Sequence, residues 1–94
     1  MNIPNFTDVE HAHKIVQKYA HRTPVLSSVS INSIFGSELF FKCENFQKVG
    51  AFKFRGACNA VFSLSQEEAR KGVATHSSGN HAAALALAAR MRDI

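Results

Sequence analysis

Apolar residues recur every three or four positions in several stretches of this chain, which is the spacing of one helix face. Two of these stretches open with a capping box, a serine or threonine followed three residues later by glutamate, at Thr7 and Ser65. Two of them close at a glycine, Gly36 and Gly72, where a helix commonly ends. The pattern predicts helices over residues 8–20, 27–35, 51–64, 65–72 and 82–91.

Three short apolar runs between these helices favour extended backbone. Val25-Leu26 follows a proline, which pushes the residue before it out of the helical region. The run 39–44 is apolar enough to predict a mostly buried strand, and 73–76 predicts a brief strand that leads into a turn. Because strands and helices alternate, we expect one α/β unit over residues 1–94, with parallel strands flanked by helices and no internal boundary.

Composition argues against several function classes. The formal net charge is +4, but the eleven Lys and Arg residues are scattered, so a nucleic-acid surface is not indicated. The longest apolar run, 82–89, is far too short to span a bilayer, and residues 1–20 lack the pattern of a signal peptide. The two cysteines and five histidines show no metal-ligand spacing, so we expect reduced thiols, no metal site, and a soluble cytoplasmic protein that binds neither nucleic acid nor membrane.

Candidate chemistry begins at Lys53, which lies between Phe52 and Phe54 in a run of small residues. Burial in an apolar wall disfavours an ammonium group, and the neighbouring Arg55 and a helix N-terminus disfavour it further. An uncharged amine can attack a carbonyl, so these surroundings indicate a lysine that forms a Schiff base. The alternative is a lysine whose stem packs on aromatic surface while its head stays solvated.

A second candidate site is the turn Ser77-Ser78-Gly79-Asn80-His81, which lies between a predicted strand and the helix over 82–91. A strand, a turn and a helix in that order direct backbone N–H groups and two hydroxyls toward one point, which suits an anion. Gly79 would let a ligand approach the backbone, and Asn80 could cap the helix or project its amide into the site. The alternative is an ordinary turn with a helix cap.

Taken together, residues 42–57 (KCENFQKVGAFKFRGA) and 75–81 (THSSGNH) resemble the pyridoxal-phosphate enzymes of the serine racemase and threonine dehydratase family. Within that family, the pattern is most similar to the eukaryotic, plant-type serine racemases. The similarity runs over essentially the whole chain, from Asp8-Val9-Glu10 to Ile94. It implies the N-terminal part of a fold-type II, tryptophan synthase β-like enzyme, with an incomplete parallel sheet flanked by helices.

The resemblance also implies a role for each matched residue. Lys53 matches the lysine that holds pyridoxal phosphate covalently and then moves the α-proton of the substrate. Phe52 matches a residue that packs beside the cofactor, and Asn80 matches the asparagine that hydrogen-bonds the hydroxyl of the pyridine ring. The positions that match the family's substrate-carboxylate loop are Ser77, Ser78, Gly79, Asn80 and His81.

Ser78 separates two activities within this resemblance. Racemisation needs proton donors on opposite faces of a planar carbanion, and by similarity Lys53 serves one face while Ser78 serves the other. Threonine dehydratases commonly carry alanine at this position, so the serine favours a racemase. The same site implies elimination of the β-hydroxyl of serine or threonine, and a threonine or serine dehydratase is therefore the alternative.

Members of the racemase branch can bind a nucleotide between subunits, and Glu10, Ser28 and Lys48 fall at positions of that site. Val49 and Ala83 stand where the animal enzymes carry polar residues, which argues against ATP. Each of the three residues also has a local explanation, with Glu10 as capping-box partner, Ser28 as helix cap and Lys48 as loop cation. The resemblance implies a homodimer when full length, acting on serine or threonine, with ATP and a divalent cation as possible further ligands.

Several parts of the family's active site match positions beyond residue 94: its glycine-rich phosphate loop, the partner of the pyridine nitrogen and the metal-binding carboxylates. We therefore expect the chain by itself to be inactive, either as a natural truncation or as a fragment of a longer protein. Two other function classes stay open. One is a non-catalytic interaction module that associates with a full-length homologue, and the other is a small nucleic-acid binder that uses Lys53-Phe54-Arg55.

Overall fold

The computed structural model describes residues 2–94, which form five α-helices and one two-stranded ribbon. Two 3₁₀ turns, Glu44–Phe46 and Lys48–Gly50, connect the ribbon to the third helix. In chain order the elements are α1 (Phe6–Val16), β1 (Val25–Leu26), α2 (Val29–Phe35), β2 (Phe41–Lys42), α3 (Lys53–Ser63), α4 (Gln66–Ala69) and α5 (Asn80–Arg92).

The core lies between α3 and α5. Helix α3 packs along α5 on one side and against α1 on another. Two alanines four residues apart on α5 are fully buried, and their small side chains let the two helices approach closely. Tyr19, which follows α1, stacks on Phe62 of α3 with ring centres 3.8 Å apart. The buried cluster consists of Phe54, Ala57, Cys58, Val61, Ala84 and Ala88.

Helices α3 and α5 run in the same direction. The guanidinium of Arg92, the last residue of α5, donates to the carbonyls of Val61, Leu64 (2.6 Å) and Ser65 (3.4 Å) at the end of α3. These carbonyls include ones that a helix C-terminus leaves without an internal donor. Because both C-terminal ends meet at Arg92, both N-terminal ends lie at the opposite end of the pair.

Helix α1 begins earlier than the sequence pattern predicts. The side chain of Asn5 accepts from the N–H groups of Thr7 (2.8 Å) and Asp8 (3.4 Å), while the Asp8 carboxylate accepts from the Asn5 N–H (2.8 Å). This is a complete capping box, so the predicted box at Thr7 and Glu10 is wrong, and Glu10 lies exposed on the helix. The helix begins at Phe6 instead of residue 8, because Asn5 and Asp8 bond the N–H groups that a helix start leaves free. It ends at Val16 instead of residue 20.

Other helix signals in the sequence are confirmed. Ser28 caps α2 through its hydroxyl, which accepts from the Ile31 N–H (3.3 Å), and Gly36 ends the helix in the left-handed conformation with φ 63°. Ser65 and Glu68 form the capping box of α4. Gly72 has φ 74°, the region that favours glycine, and closes the turn after α4.

The strands differ from the prediction. Val25–Leu26 is confirmed, but the run 39–44 contributes only Phe41–Lys42, and this strand is exposed rather than buried. The two strands pair antiparallel, with Val25 opposite Lys42 and Leu26 opposite Phe41. Residues 73–76 form no strand, since a strand requires a hydrogen-bonding neighbour and residues 2–94 do not provide one for them. Parallel pairing is accordingly not found within the described part of the chain.

Both cysteines are free thiols. Cys58 lies fully buried in the α3–α5 core, and Cys43 is half-buried beside β2. Burial raises the pKa of the Cys58 thiol, with a smaller opposing contribution from the charge of Lys48. Cys58 is therefore a protonated core residue and not a nucleophile.

Within residues 2–94, every helix is too short or too polar to cross a lipid bilayer.

Candidate cofactor site

The N-terminal ends of α3 and α5 bring the two predicted site segments to the same end of the helix pair. Lys53 is the first residue of α3, and Asn80 is the first residue of α5. From the shared contact at Arg92 back to their first residues, α3 is about 15 Å long and α5 about 18 Å long at 1.5 Å per residue. Lys53 and the turn Ser77–His81 therefore reach similar heights on adjacent helices.

Lys53 presents its amine on the surface of the chain. Its side chain is exposed, and its nitrogen lies 5.1 Å from the centre of the exposed Phe52 ring. The apolar wall expected around Lys53 is not formed by residues 2–94, so that expectation is wrong for the chain as described. Successive residues of a helix point about 100° apart, and of Phe52, Lys53 and Phe54 only Phe54 faces the core.

Arg55 does not act as the free neighbouring cation that the sequence suggests. Its guanidinium forms an ion pair with Glu44 and also donates to the carbonyl of His21 (3.3 Å). The charge of Arg55 is therefore compensated by a carboxylate. The role of Arg55 in this structure is to tie the first turn of α3 to the segments on either side of the ribbon.

The turn before α5 leaves backbone donors available. Gly79 is the N-cap residue and supplies no side-chain cap, while its own N–H donates to the hydroxyl of Ser77 (3.3 Å). The first hydrogen bond within the helix runs from the Ala83 N–H to the Gly79 carbonyl (3.2 Å). The helix therefore does not use the N–H groups of Asn80, His81 and Ala82. Such an end suits an anion. Asn80 is the first helical residue rather than the cap.

The side chains of this turn lie open to solvent. Ser78, Asn80 and His81 are exposed, and Ser77 is half-buried. Two hydroxyls, one amide and one imidazole therefore surround the uncapped end of α5. The turn and the helix of the predicted order are therefore present, whereas residues 73–76 before them form no strand.

Periodicity did not reveal a polar network behind the site. Gln47 is only 4% exposed, and its amide pairs with both backbone groups of His21, accepting from the N–H (2.9 Å) and donating to the carbonyl (2.8 Å). It also donates to Glu44 (3.3 Å) and accepts from the Lys48 N–H (3.0 Å). With the Glu44–Arg55 ion pair, this network fixes the loop that leads into Lys53. A buried glutamine in a loop leaves no signal in a hydrophobic pattern.

Val49 is held in an unfavourable backbone conformation next to this network. Its φ of 59° lies in the left-handed region, where a β-branched side chain is strained, and Gly50 follows with φ 69°. The strained residue sits four positions before Lys53 and immediately after the Gln47 contacts. The contacts around the loop between the ribbon and α3 therefore hold Val49 in this conformation.

The three residues matched to a nucleotide site lie on different elements. Glu10 is exposed on α1, Ser28 caps α2, and Lys48 lies in a 3₁₀ turn with its nitrogen 5.6 Å from the centre of the Phe54 ring. Hydrogen bonds among residues 2–94 do not link any two of the three. The helix-cap explanation of Ser28 is confirmed, and that of Glu10 is not.

Across the described residues, His, Cys, Asp and Glu side chains do not gather in groups of three that could hold a metal ion.

Comparison with known proteins identifies the family. Residues 16–94 match the family "Pyridoxal-phosphate dependent enzyme". A serine racemase of Arabidopsis thaliana is 66% identical over 86 residues, which are 92% of this chain and 26% of the relative. A beta-hydroxyaspartate dehydratase of Paracoccus denitrificans is 54% identical over 94 residues, which are 100% of this chain and 30% of the relative.

Solved structures give the same result. The structure of maize serine racemase superimposes with a TM-score of 0.95 at 55% identity, covering 99% of this chain and 29% of the maize chain. The chain therefore spans less than a third of the length of the relatives it matches. Because the family match covers most of the chain and the backbone agrees closely, this chain belongs to the pyridoxal-phosphate dependent enzyme family and has the fold-type II architecture of its N-terminal part.

Proposed function

We propose that this chain is the N-terminal part of a pyridoxal-phosphate dependent serine racemase that also eliminates water from serine and threonine. The observation that carries the proposal is the parallel packing of α3 and α5, which brings the amine of Lys53 and the turn Ser77–His81 to one end of the core. With only 29% of the maize chain covered, we expect the 94 residues alone to bind cofactor without turnover.

The residues at this end fit pyridoxal phosphate. An exposed amine on Lys53 can react with the cofactor's aldehyde, and the exposed ring of Phe52 beside it offers an apolar surface for a planar ring. The exposed amide of Asn80 can hydrogen-bond a ring hydroxyl. The uncapped N–H groups of α5 and the hydroxyl of Ser77 suit a carboxylate of the substrate.

The chemistry divides between the cofactor and the chain. When bound, pyridoxal phosphate supplies an electron sink that stabilises negative charge at the substrate α-carbon. The freed amine of Lys53 removes or returns the α-proton on one face, and the hydroxyl of Ser78 does so on the other. Two proton donors on opposite faces allow either enantiomer to form. Lys53 and Ser78 are therefore the proposed catalytic residues.

A dehydratase is the second candidate function, and one observation favours it. All 94 residues of this chain match the Paracoccus relative, which is named a dehydratase. Elimination needs the α-proton to be removed on one face only, and the β-hydroxyl leaves as water together with that proton. Lys53 can therefore serve elimination without Ser78. Ser78 is needed for racemisation and separates the two functions.

For the full-length enzyme we propose a homodimer acting on serine or threonine. Binding of ATP through Glu10, Ser28 and Lys48, and binding of a divalent cation, are further proposals that rest on the sequence resemblance.

Attachment of the cofactor tests the role of Lys53. The chain is mixed with pyridoxal phosphate, reduced with borohydride and digested, and the modified peptide is identified by mass spectrometry. We expect the adduct mainly on Lys53, with a visible imine absorbance that borohydride bleaches. Lys53→Ala should abolish the band, whereas Lys14→Ala, which removes an exposed lysine of α1, should leave it. An adduct spread evenly over the lysines would refute the assignment.

Ser78→Ala tests racemase against dehydratase. The substitution is made in a hybrid in which this chain replaces the matched part of maize serine racemase. We expect racemisation to fall by about 100-fold or more, the usual contribution of a general acid–base group, and elimination to change by less than about 10-fold. Ser63→Ala, at the exposed C-terminal end of α3 and away from the site, is the matched control. Equal loss of both activities would mean that Ser78 is misassigned.

A further inference from the structure

Helix α5 contributes small side chains to the core. Ala84 and Ala88, one turn apart, are its fully buried residues, and they belong to the same buried cluster as Ala57 of α3. Leu85 and Leu87 pack at the edge of this cluster and are only partly buried. Packed helices resist sliding where large side chains of one fit into holes of the other. An alanine face offers little relief of this kind, so it restrains the position of α5 along α3 only weakly.

A single side chain supplies polar contacts between these helices. One guanidinium nitrogen of Arg92 donates to the Val61 carbonyl, and the other donates to the carbonyls of Leu64 (2.6 Å) and Ser65 (3.4 Å). Val61 lies in the last turn of α3, Leu64 is its C-cap and Ser65 is the N-cap of α4. Among residues 2–94, no other hydrogen bond joins α5 to α3 or α4. Arg92 is therefore the polar link between these elements.

The shape of a guanidinium makes this link directional. Its donors lie in one plane at fixed angles, unlike the freely rotating donors of an ammonium group. A shift of α5 along its axis would lengthen or misalign bonds to three carbonyls on two elements at once. The Leu64 carbonyl accepts no other hydrogen bond within the described part of the chain. The partial negative charge at the C-terminal end of α3 also favours a cation at this place.

Helix α5 does not need the Arg92 side chain to complete its own end. Asp93 adopts the left-handed conformation with φ 61°, and its N–H donates to the Arg90 carbonyl (3.2 Å). The Ile94 N–H donates to the Ala89 carbonyl (3.1 Å). Arg90, in the same last turn, is exposed and forms none of the bonds that Arg92 makes to α3 and α4. The contact with α3 therefore depends on the position of Arg92 and not on a general need for arginine.

A displacement at Arg92 reaches the candidate site through the helix. An α-helix is stiff along its axis because each turn is hydrogen-bonded to the next, and Arg92 lies about 18 Å from Asn80 at 1.5 Å per residue. A shift of α5 along α3 would therefore move Asn80 and the preceding Gly79 relative to Lys53 by the same amount. Misplacing reacting groups by about 1 Å can cost about 100-fold in rate.

We propose that Arg92 is a positioning residue for the candidate cofactor site. By fixing how far along α3 helix α5 lies, it sets the distance between the Lys53 amine and the Ser77–His81 turn. Arg92 acts from the opposite end of the helix pair. The consequence for catalysis rests on the proposed function, whereas the effect on the relative position of the two helices does not.

Backbone amide resonances in NMR spectra of the isotope-labelled chain test this effect. Arg90→Ala is the matched control, because it removes the same side chain from the same turn and leaves the Arg92 bonds in place. Arg92→Ala should move the resonances of Lys53 and residues 77–81 at least about threefold more than Arg90→Ala does, since rigid helices carry the displacement to their far ends. Changes confined to residues 61–66 and 89–94 would overturn the proposal.

Two further variants separate displacement from general loosening. Phe62→Ala removes the ring that stacks on Tyr19 and leaves the Arg92 bonds in place, so it should lower stability without moving the resonances of residues 77–81. Movement equal to that in Arg92→Ala would contradict the proposal. Arg92→Lys keeps the charge but loses the planar fork, and we expect roughly half the displacement. If Arg92→Ala does not fold, unmoved site resonances in Arg92→Lys would overturn the proposal.

Activity of the maize hybrid described above tests the consequence for catalysis. Arg92→Ala should lower kcat about 10-fold for both racemisation and elimination, because the amine of Lys53 is displaced from the substrate. The substrate KM should change less than about twofold, because the turn that binds the carboxylate moves as a unit with α5. Arg90→Ala should leave both constants unchanged. An unchanged kcat in Arg92→Ala, or an equal loss in Arg90→Ala, would refute the positioning role.

The two measurements distinguish this proposal from the proposed function. The NMR comparison needs no pyridoxal phosphate, so it reports on the position of α5 whether or not Lys53 binds the cofactor. Displaced resonances in Arg92→Ala, together with a parent chain that forms no adduct on Lys53, would refute the proposed function and leave the effect of Arg92 on the helix pair standing.

Discussion

At the scale of single residues, Gln47 has the most specific role outside the candidate site. A glutamine amide carries a donor and an acceptor, so one side chain can satisfy the N–H and the carbonyl of His21 as a neighbouring strand would. The same amide reaches Glu44, which pairs with Arg55 in the first turn of α3. The position of Lys53 relative to the rest of the chain therefore depends on Gln47.

Gln47→Ala should lower the free energy of unfolding by about 2 kcal/mol, because it leaves the His21 N–H without its partner and the His21 carbonyl with Arg55 alone. Urea unfolding followed by far-ultraviolet circular dichroism measures the effect. Gln66→Ala, which removes an exposed glutamine from α4, is the control and should have an effect below about 0.5 kcal/mol. If the two variants lose equal stability, the Gln47 contacts do not hold the loop.

Sequence alone placed Lys53 at the start of a helix but did not give its surroundings. The helical spacing of Phe54, Ala57 and Val61 placed Lys53 at the start of a helix, because a helix face is set by local periodicity. The exposure of Lys53 depends on which chain segments cover the end of α3, and that is a non-local property. The pairing of Arg55 with Glu44, eleven residues earlier, is non-local in the same way.

At the scale of elements, the helices were predicted better than the strands for a physical reason. A helix makes its own hydrogen bonds, and its ends are marked by local residues such as Ser65, Ser28 and Gly36. A strand forms only when a neighbour accepts and donates its bonds. Residues 73–76 carry a strand pattern, but within the described part of the chain they lack such a neighbour.

The capping box of α4 makes its stability depend on pH. The Glu68 carboxylate accepts from the Ser65 N–H (2.8 Å), and this bond, with the Ser65 side chain, holds the pKa of Glu68 below its ordinary value of 4.5. A lowered pKa in the folded chain means that the stabilising bond is fully present above pH 4.5 and is lost as the pH falls through that value toward the folded pKa.

We therefore expect Glu68→Gln to be less stable than the parent at pH 6 and to approach it as the pH falls to 3. Urea unfolding at several pH values between these limits measures the difference. Glu67→Gln, one residue away and without the bond to Ser65, should differ from the parent by a nearly constant amount. A difference for Glu68→Gln that does not narrow in acid would mean that the box does not form.

At the scale of the whole molecule, the helical core on α3 and α5 is distinct from residues 24–42, here called the arm, none of which is buried. Its principal extents are 53 × 29 × 25 Å, and its Cα radius of gyration is 16.3 Å, against about 12 Å for a compact domain of this length. The core fixes the relative position of Lys53 and the Ser77–His81 turn, while the arm contributes no buried residue to it. The relative position of Lys53 and this turn therefore does not depend on burial of the arm.

This shape gives a direct prediction for the isolated chain. Small-angle X-ray scattering of the monomer should show an elongated particle with a radius of gyration near 16.3 Å. Phe35→Asp should leave that value unchanged, because Phe35 is mostly exposed. A value near 12 Å would mean that the arm folds back onto the core. Since apolar burial would favour such a collapse, an elongated monomer would show that the hydrogen bonds of Asn32 to Leu39 and of Lys42 to Thr23 outweigh it.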